Sequence, residues 1–149
     1  MKLLFRPWVS ASVIILLLRI ILGAVFFAHG AQKVLGWFGG KGLAATTGMF
    51  SSMGIPHVLA YMDAFGEFIF GILVLIGLLT RISSAGIAVI MAVAIARVHL
   101  PNGFFAPMGF EYPLTLFVIA LLIFLYGSGK YGLDYMWERK TRTGGVDFS

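Results

Sequence analysis

Two pairs of polar side chains, each within a long apolar stretch, could together exchange protons and polarise a carbonyl group. Asp63 and Glu67 are four residues apart in one stretch, and His29 and Lys33 have the same spacing in another. Residues at i and i+4 share one face of a helix, so each pair would project from one side. Carboxylates and histidine suit general acid–base chemistry, and a cation stabilises developing negative charge.

Further polar residues stand near the ends of the apolar stretches. The candidate catalytic residues are His29, Lys33, Glu67 and Arg97. The candidate residues for binding a substrate or another ligand are Gln32, Asp63, His99, Asn102, Glu111 and Tyr112. Arg19 lies inside the first apolar stretch, and the sequence identifies no partner for it.

The composition requires that these residues be positioned within a membrane. Hydrophobic residues make up 60% of the 149 and charged residues 11%, whereas a water-soluble domain carries about 25% charge. In such a chain the net charge of +5 indicates basic residues that fix topology, and no nucleic-acid partner is expected. The absence of cysteine excludes disulfides and thiol chemistry.

Four segments have the length and apolar character of membrane spans, which need about 20 residues. The predicted fold is an all-α membrane protein with an antiparallel bundle of four transmembrane helices in a single domain, 1–149. The spans are expected at about 9–35, 59–79, 82–100 and 110–127, followed by a tail at 128–149. A stripe of small residues on the third span predicts close contact with a neighbouring helix (Ser84, Ala88, Ala92 and Ala96).

The distribution of lysine and arginine predicts that both termini are cytoplasmic and that the protein lies in the inner membrane. Seven basic residues fall on one side of the four spans: Lys2, Arg6, Arg81, Lys130, Arg139, Lys140 and Arg142. The other side has three: Lys33, Lys41 and Arg97. The N-terminal stretch also resembles a cleaved signal peptide, but its length and Arg19 favour a retained span.

This topology places the polar residues of all four spans at the outer end of the bundle. Glu67 would lie about 10 Å below the interface, where a carboxylate must be paired, hydrogen-bonded or protonated. His29, Lys33 and Arg97 are its candidate partners. The alternative is that these groups are structural ion pairs with no chemical role.

The two outer loops are expected to cover this polar end. In the first, residues 43–53 have near-helical apolar spacing and predict a short helix lying in the interface. The second, 99–113, is rich in glycine and aromatic residues. A pocket with apolar walls and a few polar groups suits a quinone, while aromatic anchoring in the headgroup layer is the structural alternative.

Other cofactors receive little support from the sequence. His29 and His99 would lie at similar depth and permit a haem, but no further haem pattern accompanies them. No flavin motif and no metal-ligand spacing such as HExxH is present.

Several segments together carry a family resemblance. They are "FFAHGAQKVLGWFGGKG", "GIP", "GEFIFGILVLIGLLTR", "VHLPNGFF", "GFEYPL" and "GSGKYGLD", which run from about Leu18 to Asp134. The chain resembles the DoxX family of small four-helix membrane proteins, departing from it in "KYGLDYM", where a serine is expected before the leucine. The resemblance implies membrane-associated redox activity, with thiosulfate:quinone oxidoreductase among the family's functions. The matching motif positions are His29, Gln32, Lys33, Glu67, Arg97, His99, Asn102, Glu111 and Tyr112.

Three classes of function remain open from the sequence. The first is a quinone-linked oxidoreductase or its membrane subunit, taking electrons from a small donor such as thiosulfate or from a redox partner subunit. The second is a non-enzymatic scaffold for a redox complex, and the third is a small-solute transporter. The expected partners are membrane lipid, quinone, a redox subunit and a second copy of the chain.

Overall fold

The computed structural model describes residues 9–105 and 107–143, and all regular structure within these ranges is helical. The N-terminal arm, with Lys2 and Arg6 and the possible signal peptide, lies outside the described residues, as does the segment 144–149. Within the described ranges the six α-helices are α1 (Ala11–Val34), α2 (Gly42–Ser52), α3 (His57–Ile76), α4 (Thr80–Ala94), α5 (Glu111–Tyr126) and α6 (Leu133–Thr143). A π-helical turn, Ile95–His99, and a 3₁₀ turn, Leu100–Asn102, extend α4.

Three of the helical segments are long and apolar enough to cross a membrane: Ala11–Val34, His57–Ile76 and Thr80–Asn102. They lie where the sequence predicts the first three spans. The fourth predicted span corresponds to α5, which has 16 residues. At 1.5 Å per residue α5 is about 24 Å long, less than the roughly 30 Å of a typical hydrocarbon core.

Helices α1, α3, α4 and α5 share one apolar core. Its most buried side chains are Leu22, Phe26, Val74, Ile87, Ala88, Leu116, Ala120 and Ile123. Large apolar side chains are also exposed along the outside of the same helices, for example Leu17, Ile69, Val89 and Leu125. This pattern, apolar both inside and outside, is what a lipid environment requires and a water-soluble bundle avoids.

Glycines bring α1 and α3 into backbone contact. A Cβ added at Gly30 would overlap the backbone of Phe68, and one added at Gly71 would overlap the backbone of Phe27. Such close approach is how small residues join helices in membranes, where no hydrophobic force drives association. The tight contact fixes the second half of α1 against the second half of α3.

The small-residue stripe of α4 makes the predicted contact over only part of its length. Ser84 and Ala88 are buried where α4 packs against α5, whereas Ala92 and Ala96 are exposed. The Ser84 hydroxyl donates to the Thr80 carbonyl at 2.6 Å, so this polar side chain is satisfied within its own helix.

Arg19 is the most buried charged residue in the described part of the chain, with 1% of its surface exposed. Its guanidinium donates to the carbonyls of Val74 at 2.9 Å, Leu75 at 2.8 Å and Ser128 at 2.8 Å. The last carbonyls of a helix lack intrahelical partners and carry partial negative charge, so they attract a cation. Arg19 therefore ties the end of α3 to the segment after α5.

The segment between α5 and α6 is also held in place by Asp134, at the start of α6. Its carboxylate accepts hydrogen bonds from the amides of Leu79 at 2.7 Å and Thr80 at 2.8 Å, and thereby caps α4. The Asp134 amide donates to the carbonyl of Gly77 at 2.9 Å. A helix in the tail is not expected from the sequence, because the mixed polar character of α6 differs from that of a span.

Candidate functional site

Lys33 joins the two acids of α3 at one end of the bundle. Its Nζ lies 2.5 Å from Oδ2 of Asp63 and 2.8 Å from Oε2 of Glu67. We call these three residues the Lys33 cluster. The predicted pairing between a base of α1 and the acids of α3 is confirmed.

The Lys33 cluster is buried at one side and open at the other. The side chains of Lys33 and Asp63 are 24% and 20% exposed, and that of Glu67 is 7% exposed. Asp63 accepts a directed hydrogen bond from Lys33. Among the described residues, no donor makes a well-aligned hydrogen bond with Oε2 of Glu67, so the contact of this oxygen with Lys33 is ionic only.

The charges of the cluster do not cancel when all three groups are ionised. One ammonium faces two carboxylates, which leaves one negative charge in a largely apolar environment. Such a charge is costly unless it is compensated, and a bound proton compensates it without moving any side chain. The arrangement can therefore hold a proton on a carboxyl group beside a fixed cation.

The loop that follows α1 folds back over the end of that helix. A Cβ at Gly40 would overlap the backbone of Gln32, so only glycine permits this approach. The Gln32 amide donates to the carbonyl of Phe38 at 3.0 Å. Thr46 of α2 donates to the carbonyl of Gly42 at 3.0 Å and makes a longer contact, 3.4 Å, with the carbonyl of Lys33.

Thr46 was not among the predicted site residues. It is buried although it is polar, and its hydroxyl reaches the main chain of the cluster's lysine. No sequence signal distinguishes it from its neighbour Thr47, which instead donates to Ala44 within α2.

His29 lies one turn before Lys33 on α1, but its side chain is exposed. Within the described residues it forms no hydrogen bond, and neither carboxylate of the cluster is paired with it. His29 therefore lies on the outer surface of the bundle beside the cluster. A ligand arriving from the surrounding membrane would be able to reach its ring.

Arg97 and His99 occupy the π-helical turn that extends α4. Arg97 is exposed and forms no ion pair with a carboxylate of the described chain, so the predicted pairing with Glu67 is absent there. His99 Nδ1 lies 2.8 Å from the carbonyl of Met108 and can donate to it. Isolated π-helical turns occur frequently at functional sites because they redirect side chains.

The segment 99–113 contains the remaining predicted residues. Asn102 donates to the carbonyl of Val98 at 2.8 Å, and Tyr112 is half exposed. Glu111 begins α5, and its amide donates to the carbonyl of Phe104 at 3.0 Å. The structure thus joins Lys33, Asp63 and Glu67 directly. The side chains of Gln32, His99 and Asn102 instead contact backbone carbonyls that lie within ten residues of them in the sequence.

The donor set of the described residues does not suggest a metal centre. Within 9–105 and 107–143, no three His, Cys, Asp or Glu side chains converge closely enough to hold an ion. The Lys33 cluster contains two carboxylates and a lysine, and lysine is protonated when it pairs with acids. Proton exchange and binding of a polar ligand group are the chemistry that these residues can supply.

Comparisons with known proteins agree with the motifs in the sequence. The model of the family described as DoxX matches residues 14–100. A Bacillus subtilis protein named "Putative oxidoreductase CatD" is 37% identical over 131 residues, covering 88% of this chain and 92% of that protein. A Mycobacterium tuberculosis protein named "Uncharacterized membrane protein Rv3486" is 28% identical over 145 residues, covering 89% and 86%. No solved structure matches the chain significantly.

Proposed function

The chain belongs to the DoxX family of membrane proteins, and we propose that it is a quinone-linked oxidoreductase or the membrane subunit of one. The Lys33 cluster is the proposed proton-handling site. The name of the Bacillus subtilis relative supports an oxidoreductase in general terms. The choice of a quinone rests on the chemistry and position of the cluster.

The observation that carries the proposal is the contact between Lys33 and two carboxylates of unequal burial. Glu67 is nearly enclosed and lacks a directed hydrogen bond from the described residues, whereas Asp63 and Lys33 retain exposure. A quinone carbonyl is an uncharged acceptor that becomes negatively charged on reduction. A fixed ammonium stabilises that charge, and a nearby carboxylic acid donates the proton that removes it.

The proposed reaction balances with thiosulfate as the electron donor. Two thiosulfate anions form one tetrathionate and release two electrons. The quinone takes these electrons and two protons to become quinol, so the protein must deliver protons but need not store electrons. In this scheme Lys33 or Arg97 polarises a ring carbonyl, and Glu67 or His29 transfers protons.

The proposed membrane arrangement places this site near the outer surface. We propose that α5 is the fourth span, completed by adjoining residues, and that α2 lies in the interface above the cluster. Both termini would then be cytoplasmic, as the lysine and arginine distribution predicts. Gln32, His99, Asn102, Glu111 and Tyr112 would border the quinone from the two outer loops.

The test uses the full chain purified in detergent. Mass spectrometry of lipid-soluble molecules retained through purification should detect a quinone, and thiosulfate should reduce a soluble quinone analogue in an anaerobic optical assay. A folded protein that neither retains quinone nor reduces the analogue with thiosulfate would contradict thiosulfate-dependent activity. A protein that retains quinone but requires another donor would support the subunit form of the proposal.

A scaffold role is the second candidate, and the same contact favours it. Lys33 and its two acids also fasten α1 to α3, beside the glycine contacts that already join these helices. If the cluster is purely structural, its substitution should lower thermal stability and abundance, and no quinone should be retained by the wild-type protein.

A further inference from the structure

A cavity of about 660 Å³ opens at the opposite end of the bundle from the Lys33 cluster. It lies beside Ser12, in the first turn of α1, whereas Lys33 is in the last turn of that helix. The start of α4, the end of α5 and the beginning of α6 form its other walls. The proposed redox site does not use this cavity.

The lining of the cavity combines buried polar residues with exposed apolar ones. Three of its lining residues are buried and polar: Ser12, Thr80 and Ser128. Three others are large and exposed: Leu79, Ile82 and Tyr126. A ligand that fits such a lining has a polar group attached to an apolar body.

Two exposed cations, Arg81 and Lys130, also line the cavity. Arg81 Nη1 donates to the carbonyl of Phe124 at 3.1 Å, which holds the guanidinium beside the end of α5. The other guanidinium N–H groups and the Lys130 ammonium form no further hydrogen bond within the described residues. Beneath them, the buried Thr80 hydroxyl also has no hydrogen-bond partner among the described atoms.

Two carboxylates border the same cavity, Asp134 and Glu138. Both oxygens of Asp134 accept hydrogen bonds from main-chain amides at the start of α4, so this acid is engaged in capping the helix. Glu138 is an exposed residue of α6. Its negative charge opposes an anionic ligand and provides a means of testing the sign of the ligand's charge.

We propose that this cavity binds the phosphate group of an anionic phospholipid. Arg81 and Lys130 contact the phosphate, and the acyl chains lie against Leu79 and Ile82. The site is at the ends of apolar helices, where the headgroup layer of a membrane meets basic side chains. Guanidinium and ammonium groups are the usual partners of phosphate in proteins.

The test measures lipid binding to the full chain in detergent by native mass spectrometry. Phosphatidylglycerol and phosphatidylcholine with identical acyl chains are compared. Inorganic phosphate is tested in parallel as a soluble ligand without acyl chains. The variants are Arg81→Gln, Lys130→Gln and their combination. Lys41→Gln is the matched control, because Lys41 is an exposed cation next to the other end of α1.

The wild type should bind phosphatidylglycerol at least about tenfold more tightly than phosphatidylcholine. Each single substitution should weaken binding of the anionic lipid by about fivefold, whereas Lys41→Gln should not. Glu138→Gln should strengthen it. Lys130→Gln keeps the test valid if Arg81→Gln fails to fold, because Lys130 forms no hydrogen bond in the described chain.

Two results would overturn the proposal. The first is retention of the wild-type lipid preference by the double variant. The second is binding of inorganic phosphate alone as tightly as the anionic lipid, which would assign the cavity to a soluble phosphate compound. Neither result depends on quinone chemistry, so this proposal and the redox proposal can fail separately.

Discussion

The ammonium of Lys33 lies 2.8 Å from Oε2 of Glu67, which connects the last turn of α1 to a buried position on α3. The same ammonium lies 2.5 Å from Asp63, one turn earlier on α3 and more exposed. A single cation thus contacts one accessible and one enclosed carboxylate. This difference in access is what a group needs if it is to receive protons from outside and deliver them to a bound ligand.

The substitution Glu67→Gln should remove proton transfer by this side chain while leaving its packing unchanged. Glutamine keeps the shape of the side chain but cannot release or accept a proton as a carboxyl group does. We expect quinone reduction to fall by about 100-fold, the usual contribution of a positioned general acid, with folding retained. The measurement is the rate of quinone reduction under saturating donor, with circular dichroism to verify helix content. Unchanged turnover in a folded variant would exclude Glu67 from proton transfer.

Lys33→Met should destabilise the protein more than Lys41→Met does. Removing the ammonium leaves two neighbouring carboxylates without their cation, and breaking a buried ion pair in this way costs up to about 3–5 kcal/mol. The partial exposure of Lys33 reduces that cost. Lys41 forms no side-chain cap on α2 and is exposed, so it serves as the control. Melting temperatures in the same detergent compare the two variants, and equal values would contradict a stabilising role for the Lys33 contacts.

Gly30→Ala should disrupt the contact between α1 and α3. Its methyl group would overlap the main chain of Phe68, which cannot move away as a flexible side chain would. Gly48→Ala in α2 is the control, because nothing lies within 4 Å of its Cβ position and alanine is favoured over glycine by about 1 kcal/mol in a helix. Thermal unfolding should show a lower midpoint for Gly30→Ala and an equal or higher one for Gly48→Ala.

Arg19→Gln should weaken the end of the bundle opposite the Lys33 cluster. The wild-type guanidinium satisfies three buried or partly buried carbonyls, and a hydrogen bond from a charged group contributes about 1.5–3 kcal/mol. Glutamine has fewer donors and a shorter reach. We expect a marked loss of thermal stability, while Arg97→Gln, which alters an exposed cation, should leave stability unchanged. Similar stability of wild type and Arg19→Gln would exclude this clamp role.

The apolar helices could be predicted because their signal is local. Composition and span length identify α1, α3 and the segment 80–102, and the i, i+4 spacing identifies the pair Asp63 and Glu67. The alternation of spans across a membrane brought His29, Lys33 and Arg97 to the depth of these acids as candidate partners, but it did not select Lys33 among them. Helix α6 was not predicted, because its polar composition differs from that of a membrane span, although its apolar residues do recur with helical spacing.

The groups that each polar side chain contacts could be identified only from the tertiary structure. Arg19 and Arg97 are both cations in or beside apolar segments, yet one is enclosed by carbonyls and the other is exposed. Likewise His29 and Lys33 share a spacing that suggests one role, but only Lys33 contacts the acids in the described chain. Helix periodicity specifies which residues share a face, but not how that face is rotated against its neighbours.

The sequence by itself therefore determined a membrane protein of apolar helices, with the acids of its apolar segments and several of its bases near one end, because burial in lipid constrains composition over whole segments. Tertiary structure decided which of those groups touch. That choice depends on the backbone contact at Gly30 and Gly71 and on the packing of α1 against α3, and both are properties of two segments distant in sequence.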